Sequence, residues 1–166
     1  MNKILMTIAL SIYALGAAEF APRANEVIDF IDNHLLRQGP LKFENDFVYV
    51  ELDDNYIHHL APFLSDQGFI APDYCEGDKV GAHITVIYPE EIKLFGIDSI
   101  AEINEPISFT IKECQIVYPR KSFESAYLII VESPLLDEIR EAYGVGKKEY
   151  AFHITVGVKP VAGLSQ

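Results

Sequence analysis

Ala82-His83-Ile84-Thr85-Val86-Ile87-Tyr88 is the stretch on which the reading of this 166-residue chain turns, because its core, His-Ile-Thr-Val, returns at His153-Ile154-Thr155-Val156. Both copies lie in short apolar, β-branched runs, 82–88 and 150–158, with the composition of strands rather than helices. Strand side chains alternate between faces, so His83 and Thr85 share one face while Ala82, Ile84, Val86 and Tyr88 share the other. The second copy divides the same way: His153 and Thr155 against Phe152, Ile154, Val156 and Val158. Each strand is expected to bury its aliphatic face. The other face then carries an imidazole and a hydroxyl about 6–7 Å apart, at a rise of roughly 3.3 Å per residue. A single His-x-Thr on a strand is common and usually structural. Here two of five His and two of four Thr fall into one arrangement with identical neighbours, which chance explains poorly.

Working outward, the two motifs end two similar runs of elements. Phe47-Val48-Tyr49-Val50-Glu51-Leu52, a helix, a Gly-containing loop and His83 match Leu128-Ile129-Ile130-Val131-Glu132-Ser133, a helix, a Gly-containing loop and His153. The repeat lies in element order and in the Val-Glu pair more than in identity. A unit folded twice can close two sheets about a pseudo-two-fold axis and bring both His-Thr faces to one cleft. The expected fold class is α+β: a bilobal pseudo-two-fold arrangement of two antiparallel sheets with helices on the outer faces and a central cleft.

The remaining elements follow from periodicity and punctuation. Val27, Phe30, Ile31, His34 and Leu35 recur at helical spacing over 25–37, and Gly39-Pro40 is expected to stop that helix. Asp53-Asp54-Asn55 supplies N-cap chemistry for a helix over 56–64. Residues 89–105 read as an irregular connector with a helical piece near 98–102. Residues 106–118 and 127–131 read as a hairpin of two strands. Ser133-Pro134 starts a helix striped by Leu135, Ile139 and Tyr143.

Composition bounds the function. The formal charge of −12 disfavours a long polyanionic partner, which needs clustered Lys and Arg. A small nucleotide or short oligonucleotide remains compatible. Residues 1–18 resemble a signal peptide, with Lys3 as n-region, 4–15 as apolar h-region and Gly16-Ala17-Ala18 as the cleavage region. The apolar run is shorter than the ~20 residues of a membrane span. The expectation is an exported protein, periplasmic or secreted, with a single bilobal domain over 19–166, no stable membrane span and a monomeric state. Cys75 and Cys114 lack metal-ligand spacing, and a disulfide and two free thiols both remain open. His34 on that helix stripe reads as a packed or half-exposed histidine rather than a ligand. Adjacent His58 and His59 diverge by about 100° on a helix and do not converge on one ion. No carboxylate cluster suggests a metal, and no cofactor is expected.

Two imidazoles and two hydroxyls across a cleft suit in-line displacement at phosphorus. The attacking water must lose a proton while the leaving oxygen gains one, which calls for two groups titrating near neutrality. Hydroxyls can donate to non-bridging oxygens as charge builds there. Lys79, Arg120, Lys147 and Lys148 read either as cleft-rim cations or as solvated loop charges. Tyr127 and Tyr150 read as base-stacking platforms or core. A Ser-nucleophile hydrolase finds no Gly-x-Ser-x-Gly elbow.

The paired His-x-Thr-x-hydrophobic strands in two similar halves resemble the 2H phosphoesterase superfamily, which includes RNA 2′,3′-cyclic phosphodiesterases and 2′–5′ RNA ligase-like proteins. The resemblance covers roughly Phe47 to Pro160. It implies a metal-independent cyclic phosphodiesterase in which His83 and His153 are acid and base and Thr85 and Thr155 bind phosphate. The competing expectation is an exported, non-catalytic module that grips a phosphorylated ligand in the same cleft.

Overall fold

The computed structural model describes residues 18–44, 46–73, 80–119 and 123–161. Two four-stranded antiparallel sheets form the molecule. The first has the order β4 (His83–Ile87), β3 (Phe47–Glu51), β2 (Gln38–Glu44), β5 (Pro106–Ser108). The second has the order β8 (Phe152–Lys159), β7 (Ser125–Glu132), β6 (Thr110–Val117), β1 (Glu19–Phe20). Each motif strand is therefore the edge of its own sheet, and the two edges β4 and β8 run against each other.

The helices are exchanged between the halves. α2 (Asn55–His58) and α3 (Ala61–Leu64) lie between β3 and β4 in sequence yet pack on β8, while α5 (Pro134–Ala142) lies between β7 and β8 yet packs on β4. α1 (Ala24–His34) covers β6. One continuous core results, joining Ile84 and Val86 of one motif strand to Ile154 and Val156 of the other through Tyr56, Ile57, Leu60, Leu136 and Ile139. Removing this much aliphatic and aromatic surface from water is the main drive holding the halves together. The alternation expected of the motif strands holds through the motifs, where Ile84, Val86, Ile154 and Val156 are buried and His83, Thr85, His153 and Thr155 are half-buried on the opposite face; past Val86 it reverses, with Ile87 buried and Tyr88 exposed.

Several expected boundaries move. Gly39 and Pro40 do not end α1, which stops at His34 with extended Leu35 as its C-cap; they lie inside β2, paired with Ile107 and Pro106. Gly39 is required there because a Cβ would collide with the Glu51 carbonyl of the neighbouring strand. The run 106–118 is not one strand but two in different sheets, β5 with β2 and β6 with β7, and buried Phe109 sits at the switch. The hairpin of β6 with β7 is present and antiparallel. The connector after Tyr88 opens with a helix, α4 (Pro89–Phe95), since Pro89 suits a first helical position and the Glu91 carboxylate accepts from Tyr88 N at 3.0 Å. No helix forms at 98–102. The single helix expected over 56–64 is two one-turn pieces, α2 and α3, followed by a 3-10 turn at Ser65–Gln67. On α5 the buried stripe is Leu136, Ile139 and Arg140, with Leu135 exposed.

The proposed signal peptide falls, apart from Ala18, outside the described residues, as do Cys75, Lys79 and Arg120. Cys114 is a buried free thiol on β6. Among the described residues no helix is long and apolar enough to cross a membrane, which says nothing of a β-barrel.

Candidate functional site

The two motifs are built by the same backbone device. In β4, Tyr49 pairs with Thr85 and Val48 with Ile87, leaving Val86 as the extra residue of a bulge. In β8, Leu128 pairs with Thr155 and Tyr127 with Gly157, leaving Val156 extra. Both bulges fall on the last residue of His-Ile-Thr-Val, where the added residue bends the strand and frees a backbone group. The pairing also corrects the internal alignment read from sequence: Glu51 lies opposite His83 and Ile130 opposite His153, so Glu51 corresponds to Ile130, not to Glu132. The error is two residues, which preserves the face of every side chain and explains why the alternation survived it.

Each imidazole is oriented by the carbonyl two residues before it. His83 Nδ1 lies 2.7 Å from Gly81 O, and His153 Nδ1 lies 3.0 Å from Ala151 O. A carbonyl can only accept, so Nδ1 carries the hydrogen and Nε2 is the basic nitrogen in each neutral ring. Gly81 holds φ at +73°, a left-handed conformation, and Ala82 N donates to Asp54 Oδ1 at 2.8 Å. Asp54 was expected to cap a helix; instead it pins the entry to β4, and Asp53 Oδ1 takes Asn55 N at 2.9 Å. The N-cap signal at Asp54 does not reveal this contact, because Gly81 and Ala82 meet it only once β4 is folded beside that helix start.

The histidines titrate unequally. Burial lowers the His83 pKa, its contact with the Gly81 carbonyl opposes that, and the Lys148 charge lowers it further. Burial takes His153 down to about 4, with Lys148 and His83 adding repulsion and the Ala151 carbonyl opposing it. The His83 charge is felt at His153, and the Lys148 charge at both imidazoles, consistent with the packing of β4 on β8.

This arrangement, two His-x-Thr edge strands bulged at the same residue and packed against each other, agrees with an independent sequence match. A family model described as the Swiss Army Knife 2H phosphoesterase domain matches residues 48–162, more than half of the chain. The chain belongs to the 2H phosphoesterases. No curated protein and no solved structure matches it.

Around the 2H motifs the structure sorts the remaining candidates. Lys148 is half-buried: its Nζ donates to Thr85 O at 2.8 Å and lies 4.9 and 5.0 Å from the ring centres of Tyr88 and Phe152. Lys147 is exposed. Tyr127 is no stacking platform, because it is fully buried against Phe69 with its hydroxyl donating to Pro22 O at 3.0 Å. Tyr150 is half-buried beside Ala151. Phe47 and Tyr49, which the sequence reading passed over as site residues, stack at 4.9 Å between ring centres and meet the His83 ring in T-shaped contacts with centres 5.5 and 6.0 Å away. His34 is exposed and stacks on Phe30 at 4.6 Å rather than entering a core stripe; His58 and His59 are exposed. Among the described residues no group of His, Cys, Asp and Glu has metal-binding geometry.

Arg140 is the largest residue that sequence reasoning missed. It is fully buried, pairs bidentately with Glu91 at 2.8 and 3.0 Å, and donates to Val86 O at 2.7 Å and Gly146 O at 2.9 Å. It thus takes the carbonyl freed by the first bulge and ties it to the loop that leads to the second motif.

Proposed function

We propose that this 2H phosphoesterase is a metal-independent cyclic phosphodiesterase that opens a 2′,3′-cyclic nucleotide or the cyclic end of a short RNA. The observation that carries the reading is the twinned anchoring of His83 and His153, which makes Nε2 the proton-exchanging nitrogen of both rings. Because His153 is pushed down to about 4, the singly protonated pair holds its proton on His83. His153 Nε2 then takes a proton from the attacking water as the P–O bond forms. The bond from phosphorus to the ribose 2′ or 3′ oxygen breaks, and His83 protonates that oxygen. Thr85 and Thr155 donate to the non-bridging oxygens, where negative charge grows. The product is a nucleoside monophosphate, or for an RNA end a chain whose terminal ribose keeps the phosphate as a monoester, and proton exchange with water restores the starting pair.

The acidic balance of the chain supports a small substrate over a long polyanion. Export is part of the proposal: removal of residues 1–18 would leave β1, paired through Glu19 and Phe20 to β6, as the first element. The test is hydrolysis of the four 2′,3′-cyclic mononucleotides in chelator, beside a His83→Ala/His153→Ala double variant. Turnover that disappears in the variant supports the reading. Its absence from the unmodified chain, with a nucleoside monophosphate still bound, moves the cleft to the binding-module alternative.

A further inference from the structure

We propose that Lys148 is a third phosphate-binding group of the cleft, reaching from the loop before β8 to stand beside Thr85 and donate to a non-bridging oxygen of a phosphate or sulfate-like anion. The proposal rests on the cyclic phosphodiesterase reading for its substrate but stands on its own geometry. Lys148 leaves the second half of the chain and crosses to the first, where its ammonium is fixed by Thr85 O and flanked by the faces of Tyr88 and Phe152. One of its three N–H groups is used by that carbonyl. Among the described residues no carboxylate lies within ion-pair distance of it. The nearest candidate, Glu91, is occupied by Arg140 and by Tyr88 N.

A half-buried ammonium with a carbonyl and two ring faces, and with no carboxylate of the described residues within ion-pair distance, is an unusual arrangement in a chain with a formal charge of −12. Removing such a charge from water is costly unless an opposite charge joins it. The rings and the carbonyl fix where the ammonium sits, and they leave its charge to be matched by an anion. That position neighbours Thr85 and is felt electrically by both His83 and His153. The charged groups facing it are Arg140 of α5 and Glu91 of α4, which offset each other, and the two imidazoles of β4 and β8.

Burial and the Arg140 charge bring Lys148 down to about 7, with Glu91 opposing. An arriving anion favours the charged ammonium, so binding takes up a proton, and affinity falls as the pH passes above 7. This is a property that a purely structural lysine, fixed in place by packing, does not confer.

The test is sulfate binding by calorimetry at pH 6.5 and 8.5, since sulfate keeps its charge across that interval, on the full chain and its Lys148→Gln and Lys148→Arg variants. The unmodified chain should lose about tenfold in affinity between the two pH values, a loss that one removed ionic hydrogen bond can supply. Lys148→Gln, whose amide can still donate to Thr85 O, should bind about tenfold more weakly at pH 6.5 and keep only the smaller pH step that His83 supplies. Lys148→Arg, charged throughout, should bind as tightly as the unmodified chain at pH 6.5 and show the same smaller step. Sulfate affinity unchanged in Lys148→Gln, absence of sulfate binding by the unmodified chain, or a pH step in Lys148→Arg as large as that of the unmodified chain would each overturn the proposal. None of these readouts uses turnover, so a chain that hydrolyses nothing refutes the phosphodiesterase reading without deciding the role of Lys148.

Discussion

The two halves place the same four residues on the same bulged edge, yet surround them differently. His83 faces a wall of aromatic rings, Phe47 and Tyr49, with Glu51 directly across the ladder. His153 faces aliphatic Leu128 and Ile130, which pack with Val117, Ala126 and Val158 in a small apolar cluster of their own. The anchoring carbonyl is also closer to His83, 2.7 against 3.0 Å. For His83 that carbonyl is the second-largest influence on basicity; for His153 it falls behind the repulsion from Lys148. The repeat therefore supplies geometry, and the deeper depression of His153 by burial and by Lys148 supplies the difference in proton affinity that the proposed acid and base would use.

Breaking either half at its imidazole should have the largest effect. His83→Ala and His153→Ala are each expected to lower kcat/KM for a cyclic mononucleotide by about 10²–10⁴-fold. The double variant should lose little more than the worse single one, because the two act as a unit. Independent, multiplying losses in steady-state assays would mean that the halves do not share one reaction.

Next in size is the tie between the halves. Arg140→Met strands the Glu91 carboxylate and leaves Val86 O and Gly146 O without their donor. Breaking a buried pair from one side costs about 3–5 kcal/mol, to be read as a lower denaturation midpoint in urea. A loss no larger than that of an exposed pair such as Arg37 with Asp32 would show that the crossing contact is dispensable.

A smaller effect separates the two anchors. Gly81→Ala forces an L side chain to a φ of +73° and against the Asp54 carboxylate, at a cost of about 1–2 kcal/mol, and should loosen His83. Ala151, which has no positive φ, should tolerate Gly with a change of a few tenths of a kcal/mol. Thermal melts of both variants, with activity on one cyclic nucleotide, check the asymmetry. Equal effects would remove the strain argument.

The motif strands were legible because a period of two survives any register error of two, so Ile84, Val86, Ile154 and Val156 could be assigned to the core without knowing their partners. The α+β class and the twin sheets followed from element order. What stayed hidden depends on contacts distant in sequence. Gly39-Pro40 reads locally as a helix stop and enters a strand only because β5 pairs with it. Phe109 divides a run of uniform strand character because its two sides join different sheets. Arg140 sits on a helix stripe where a cation is expected to face water, and it is buried because Glu91 and two carbonyls meet it from elsewhere. Lys148 becomes part of the site only when β8 is folded against β4.

The pH dependence of kcat/KM for a 2′,3′-cyclic mononucleotide, taken in chelator from pH 3.5 to 8.5, tests the division of roles most directly. The base must be neutral, so activity should rise as the pH passes about 4, where His153 loses its proton. The acid must be charged, so activity should fall below the ordinary histidine value of 6.5, where His83 loses its own. The account predicts a bell with an acidic optimum between those limits, and a His153→Ala variant whose residual activity lacks the lower limb. A profile flat across this range with chemistry rate-limiting, or a lower limb that persists in His153→Ala, would contradict it.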